Sequence, residues 1–301
     1  MINKWIYSEL SEEQIEIKNN LANELSISPI LAQLLVQRDI ITYDDARAFF
    51  RPDLGDLHDP FLMKDMDKAV ERLTKAMRKN EKILIYGDYD VDGTTSVSLV
   101  YKFLIQIYSN LDFYITDRYD EGYGISIKGI DYAAENGFSL VVALDCGIKA
   151  VEKVKYAASK GIDFIICDHH TPDKELPPAV AVLDSKREDC TYPYKHLSGC
   201  GVGFKLIQAF AQINNIDFQH LIPLLDLVAL SIASDIVPIT GENRILAFYG
   251  LKQLNTNPST GVKAILEVCG LKDKEISISD IVFKIGPRIN ASGRMKLASE
   301  A

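Results

Sequence analysis

The stretch GDYDVDGTTS, residues 87–96, sets Asp88, Asp90 and Asp92 at alternate positions and closes on Gly93. Carboxylates this close repel one another and resist ionising together unless a cation sits among them. A calcium loop of the EF-hand type shares the D-x-D-x-D-G opening, but its twelfth position must supply a bidentate carboxylate, and here that position is Leu99. Its flank should be helical, whereas KILIY (82–86) reads as a buried strand. A phosphate-cradling P-loop needs Gly-Lys-Ser/Thr, and Gly93 is followed by Thr94 and Thr95. The three acids serve some other chemistry.

The elements that must position them are apolar runs of five or six residues: KILIY (82–86), LDFYIT (111–116), SLVVAL (139–144), DFIIC (163–167) and AVAVL (179–183), separated by helical stretches. That alternation predicts an α/β fold with a mostly parallel sheet flanked by helices. Four of the runs are followed by an acid: KILIY by Gly87 and Asp88, and the others directly by Asp145, Asp168 (then His169 and His170) and Asp184. In an open parallel sheet the ligand site lies outside the carboxyl ends of the strands, so these side chains gather along one edge. A single aspartate after a strand is often only a cap or a turn former. Four on one edge need a better reason. A further apolar helix, 221–239, carries Asp226 and Asp235; Asp235 closes it before Pro238 and can reach the same edge, while Asp226 caps or pairs locally.

Oxygen ligands with one or two imidazoles and no thiolate suit Mg²⁺ or Mn²⁺, the imidazole tipping the preference toward Mn²⁺. Five carboxylates are too many for one ion. Two ions about 3.5–4 Å apart, bridged by one carboxylate, would use them all and would activate water against a phosphate ester. His169 and His170 are neighbours and, in an extended segment, point to opposite sides, so one is expected to bind metal and the other to face the phosphate.

Composition sets the background. The 301 residues are 47% hydrophobic and 25% charged, enough for one large domain and smaller pieces. No apolar run approaches the roughly 18 residues of a membrane span, and MINKWIYSEL lacks the order of a secretion signal; a cytoplasmic location is expected. The five cysteines show no CxxC pair and read as reduced thiols, with Cys146 and Cys167 packed beside the acids. A net charge of −9 is unlike the basic footprint of nucleic-acid binders, but a cation-neutralised acid cluster would produce the same figure.

In order and spacing, GDYDVDGTTS, ALDCGI (143–148), CDHH (167–170) and SDIVP (234–238) resemble the four motifs of the DHH phosphoesterase superfamily. FRPDLGDLHDPFLMKDM (50–66), DEGYGIS (120–126), LSGCGVGFKL (197–206) and GPRINASGRM (286–295) are similar to its RecJ-type branch of single-strand-specific exonucleases. The resemblance implies two ions, with Asp90 and Asp92 on separate ions, Asp145 bridging, His169 and Asp235 completing the second site and Asp88 near the first. It implies that His170 touches the scissile phosphate, that Asp168 orients the histidines, and that Thr94 and Thr95 start a helix whose amides favour a phosphate. Arg288, Asn290 and Arg294 would grip the strand. Asp184, where relatives carry asparagine, stays outside the metal set. The implied activity is 5′→3′ exonucleolytic cleavage of single-stranded DNA in repair and recombination, with single-strand-binding, helicase or replication proteins as partners. The alternatives are another DHH hydrolase, acting on oligoribonucleotides, cyclic dinucleotides or pyrophosphate, and a metal-binding interaction protein that has lost catalysis.

The organisation expected is a helical N-terminal region (1–75), a DHH catalytic domain (76–240) and a helical segment (241–301) leading toward a missing DHH-associated domain. RecJ-type proteins carry a GGGH motif in that domain and an OB-fold beyond it; GGGH does not occur here and the chain ends at Ala301, so a truncated form is expected. The basic positions Lys64, Lys68, Arg72, Lys75, Arg78 and Lys79 are expected on one face of an amphipathic helix.

Overall fold

The computed structural model describes residues 9–295; the first eight residues and the chain end at Ala301 lie outside them. The chain divides into two compact units, 1–55 and 56–301. In the first, three helices begin where local signals place them: α1 (Glu12–Glu24), α2 (Pro29–Val36) and α3 (Tyr43–Phe50). Ser11 with Gln14 and Thr42 with Asp45 form capping boxes, and Ser28 caps a helix whose first residue is Pro29. Leu21, Ala32 and Val36 make one small core, Leu35, Ile40 and Ala46 another.

The second unit is built on α4 (Met66–Arg78), β1 (Lys82–Gly87), α5 (Val91–Leu104), β2 (Leu111–Ile115), α6 (Ile127–Glu135), β3 (Phe138–Leu144), α7 (Val151–Ser159), β4 (Asp163–Cys167) and β5 (Ala181–Leu183). It continues through α8 (Gly199–Ile213), α9 (Leu225–Ser234), α10 (Gly241–Thr256), α11 (Thr260–Val268), the single turn α12 (Ile278–Asp280) and α13 (Gly286–Met295). The five strands form one parallel sheet in the order β2-β1-β3-β4-β5, the α/β architecture expected. β1, β3 and β4 are buried along almost their whole length, which is why they read as unbroken apolar runs. The division expected at 75/76 falls inside α4, and the one at 240/241 falls at the start of α10. α4 buries Met66, Ala69, Val70, Leu73 and Ala76; Arg72 turns inward with them and pairs with Glu81 at 2.6 Å and Asp163 at 2.7 Å. Among the described residues no helix is long and apolar enough to cross a membrane.

Register positions the edge. Gly87 pairs with Leu144, Leu144 with Cys167 and Cys167 with Leu183, so the next residues, Asp88, Asp145, Asp168 and Asp184, fall in one row. Gly87 also pairs with Ile115, which brings Thr116 beside Asp88. The row runs across the point where strand order reverses, between β1 and β3.

Behind the sheet, Lys205 on α8 and Glu242 on α10 form a fully buried ion pair at 2.6 Å. Lys205 Nζ also donates to the His58 carbonyl and to Gln208 Oε1, both at 3.0 Å, while Glu242 accepts from the Tyr192 hydroxyl at 2.6 Å and the His58 amide at 3.0 Å. With every polar atom engaged, the pair locks α8, α10 and the chain around His58 together; breaking it strands a charge. Lys205→Met should therefore lower unfolding free energy in urea by about 3–5 kcal/mol. Adding Glu242→Gln should recover part of that loss, and strictly additive losses would show that the two charges do not depend on each other.

Candidate metal centre

Each acid of the row is anchored differently. Asp88, fully buried, accepts from the Thr116 hydroxyl at 3.1 Å and the Gly124 amide at 3.3 Å through Oδ1, while its Oδ2 has no partner. The glycine that closes the opening motif is there for space: a Cβ on Gly93 would lie 2.4 Å from the Asp88 carbonyl oxygen. Asp90 caps α5, its Oδ1 taking the Gly93 amide at 2.9 Å. The helix thus starts at Val91, earlier than the expected start at Thr94 and Thr95, whose hydroxyls bond back to the Asp90 and Val91 carbonyls. Because the Val91 amide is held by Asn290 Oδ1 at 3.1 Å and the Thr94 amide by the Asp90 carbonyl, this helix end is not open to a phosphate.

Asp92 is the most heavily held. It receives the Gly199 amide at 2.7 Å on Oδ2, and the Cys200 amide at 2.8 Å and the Ser231 hydroxyl at 2.6 Å on Oδ1. The N-terminus of α8 thus grips an acid that belongs to α5, with its positive end facing the carboxylate. Ser231 also contacts the Ser198 hydroxyl at 2.6 Å, tying α9 into the same knot. Asp145 sits in the left-handed region at φ 57°, a conformation aspartate tolerates better than most residues, with its amide on the Cys167 carbonyl at 2.8 Å. A Cβ on Gly199 would come within 2.6 Å of the Asp145 side chain, so only glycine lets α8 begin there.

Asp168 organises the histidines. Its Oδ1 takes the His169 amide at 2.7 Å, the His170 amide at 3.1 Å and His170 Nδ1 at 2.8 Å, and its Oδ2 takes the Ile148 amide at 2.9 Å. This corrects the expectation that the two imidazoles point apart. β4 ends at Cys167, and the pull of Asp168 folds His170 back until the ring centroids are 4.5 Å apart. His169 is buried, its Nε2 3.2 Å from Asp145 Oδ1, 3.6 Å from Asp92 Oδ2 and 3.7 Å from Asp235 Oδ2. Asp235 is the residue that ends α9 and remains partly exposed. The ligand atoms of Asp92, His169 and Asp235 lie within 4.8 Å of one another, as do those of Asp145, His169 and His170, and each set could hold a metal ion. Asp88 and Asp90 stand beside these two sets without joining either.

Electrostatics fit a cation. Burial, reinforced by Asp92 and Asp90, drives Asp145 well above the usual carboxylate range. Burial with the same two charges lifts Asp235 to about 7, and burial with Asp90 lifts Asp88 to about 6. Burial also opposes ionisation of Asp168, but the His170 hydrogen bond and charge hold it below the ordinary value, and the same bond raises His170. Asp145 Oδ1, Asp88 Oδ2 and both His169 nitrogens are buried without hydrogen-bond partners. Oxygen and imidazole acceptors left open together, with no thiolate among them, match a hard divalent cation.

The remaining expected residues are spread more widely. Asp226 takes the Leu227 amide at 2.8 Å and the Ser259 amide at 2.7 Å, ahead of α11. Asp184 is buried and holds the Lys186 amide at 2.7 Å. Arg288 is exposed and donates to the Lys284 carbonyl at 2.8 Å. Asn290 and Arg294 line a cavity of about 290 Å³ with Ser234, next in sequence to Asp235. Sequence reasoning passed over Gly199, Ser231 and Tyr123, whose hydroxyl is 3.2 Å from the Asp145 carbonyl and from the His170 ring nitrogens. Cys146, Cys167 and Cys200 are buried free thiols directly beside the row and the α8 terminus.

The model of the DHH family, N-terminal domain, matches residues 82–232, half of the chain and every strand of this sheet. The chain belongs to the DHH family. Among curated relatives, the single-stranded-DNA-specific exonuclease RecJ of Bacillus subtilis is 40% identical over 289 residues, 96% of this chain and 36% of that protein. RecJ of Escherichia coli is 37% identical over 244 residues, 77% of this chain and 42% of that protein. The chain thus spans well under two thirds of these relatives. A crystal structure of exonuclease RecJ bound to manganese superposes with a TM-score of 0.73 at 28% identity, over 82% of this chain and 61% of that one. RecJ of Thermus thermophilus in complex with Mn²⁺ shares the fold, with a TM-score of 0.79 at 24% identity over 95% of this chain and 40% of that one.

Asp168→Asn removes the acid that keeps His170 protonated to higher pH. In chelator, the NMR titration midpoint of His170 should therefore move down, and urea stability should fall by about 1–3 kcal/mol as the Ile148 amide loses its acceptor. An unmoved midpoint would remove Asp168 as the partner.

Proposed function

We propose that this chain carries the catalytic part of a two-metal exonuclease that releases nucleotides from the 5′ end of single-stranded DNA. The observation that carries the reading is the convergence of Asp92, Asp145, His169 and Asp235 on one partly open point of a DHH-family sheet, with buried acceptors left unpaired. The names of the RecJ relatives and the manganese of the RecJ crystal structure support the substrate and the ion class.

Asp90, Asp92, Asp145, His169 and Asp235 would hold the ions, with Asp88 beside them and Asp145 shared. Two bound Mn²⁺ or Mg²⁺ would supply Lewis-acid polarisation of the phosphorus oxygens and a water acidified enough to attack near neutral pH. The protein's own part is positioning. Asp92 cannot swing, because α8 and Ser231 hold both of its oxygens. His170, half-exposed and with its pKa raised by the hydrogen bond to Asp168, donates to a phosphate oxygen. Arg294 and Asn290 hold the strand at the cavity beside Ser234, and Arg288 extends that grip along α13. This reading puts the protein in the cytoplasm. Proteins that expose or coat single strands, such as helicases and single-strand-binding protein, are the partner class it implies.

The direct test is digestion of 5′-labelled and 3′-labelled single strands with Mn²⁺, Mg²⁺ or chelator. Mononucleotide release from the 5′ label, abolished by chelator, is expected; Mn²⁺ binding without cleavage of either strand would identify a chain that has lost catalysis.

Asp145→Ala should cost at least about 100-fold in rate, since the shared carboxylate orders both ions. Retention of a tenth of the rate would refute the bridging role. His169→Ala should weaken Mn²⁺ binding in calorimetry, whereas His170→Ala should leave it near normal and slow turnover. Equal loss of Mn²⁺ in both would assign both imidazoles to the ions.

A further inference from the structure

Lys186 stands in the turn that leaves β5 at the end of the acidic row. Its amide is engaged by Asp184, but its side chain is half-buried and, among the described residues, its ammonium forms no ion pair and no hydrogen bond. Buried or half-buried cations elsewhere in the unit are matched: Arg187 to Asp65 and Asp189, Lys195 to the Cys190 carbonyl, Lys205 to Glu242, Arg72 to Glu81 and Asp163. A partner is even at hand, since Asp184 Oδ2 is buried and unpaired two residues away. A lysine serving only the fold would close on it. Instead Lys186 follows the last acid of the row by two residues, within electrostatic range of Asp184, His169 and Asp235, its ammonium bonded to none of them.

Charge balance shows what such a cation is for. Asp90, Asp92, Asp145 and Asp235 together neutralise two dications, and Asp88 adds a further negative charge when ionised. A phosphodiester then arrives at a site where the charge of His170 is already matched by Asp168, so a further cation facing it offsets the remaining negative charge. We propose that Lys186 is a substrate-binding residue whose ammonium meets a non-bridging oxygen of the phosphodiester at this site. The assignment rests on the exonuclease reading and adds a phosphate contact from the turn after β5.

The role has a signature of opposite signs. In the 301-residue chain without DNA, Lys186→Met removes a charge that repels the ions, so calorimetry should show Mn²⁺ binding tightened about threefold or more. With Mn²⁺ saturating, the same variant should raise KM for a single-stranded oligonucleotide about tenfold and reduce the slope of log KM against log salt by about 0.7, the loss of one phosphate contact. Lys186→Arg, which keeps the charge, should stay near the wild type in both. A Met variant with unchanged KM and salt slope would overturn the assignment, as would one that binds Mn²⁺ more weakly. A wild-type chain that cleaves no strand would overturn the exonuclease reading instead, so the two failures are distinguishable.

Discussion

The register of one parallel sheet is the constraint on which everything else rests. Because Gly87, Leu144, Cys167 and Leu183 lie level across β1, β3, β4 and β5, the residue after each must share a row. A slip of one residue in any strand would exchange its two buried faces and set Leu84, Val142 or Ile165 against helices on the wrong side of the sheet, where their shapes are not matched. Hydrophobic burial, with no polar requirement of its own, thus forces acids together that repel one another. The repulsion is stored in carboxyls whose ionisation is opposed at Asp88, Asp145 and Asp235.

What keeps the cluster from collapsing into internal hydrogen bonds is a division of labour among its oxygens. Asp168 is spent on the amides of Ile148, His169 and His170, while Asp92 is fixed in place by those of Gly199 and Cys200 and still faces His169 and Asp235. Asp145 Oδ1 and the His169 nitrogens are left free. The anchored acids act as scaffold for the open ones, which is how a site can be rigid before anything binds.

Much of this was legible beforehand for local reasons. The strands announce themselves as apolar runs, the helix starts of the first unit as Ser-x-x-Gln, Ser-Pro and Thr-x-x-Asp, and the row of acids as the residue following each run. What was not legible depends on partners far along the chain. Ser231 reaches Asp92 across 139 positions and Gly199 across 107, and no spacing rule links them. Asn290 is committed to the Val91 amide, 199 residues away, so a side chain assigned to phosphate also closes a helix end. The histidines differ for the opposite reason: strand alternation does not extend past Cys167, where β4 has ended and Asp168 dictates the rotamers. Lys205 and Glu242 lie in stretches that give no hint of charge burial.

The three thiols packed around the row, Cys146, Cys167 and Cys200, acquire a meaning from this crowding. Burial, joined by the field of the neighbouring carboxylates, keeps all three protonated far above neutral pH. Only the thiolate reacts with oxidants or captures soft ions. The acid density that invites a hard divalent cation therefore silences the sulfur beside it, so zinc or copper finds no thiolate to hold and peroxide no nucleophile to attack while the fold is intact.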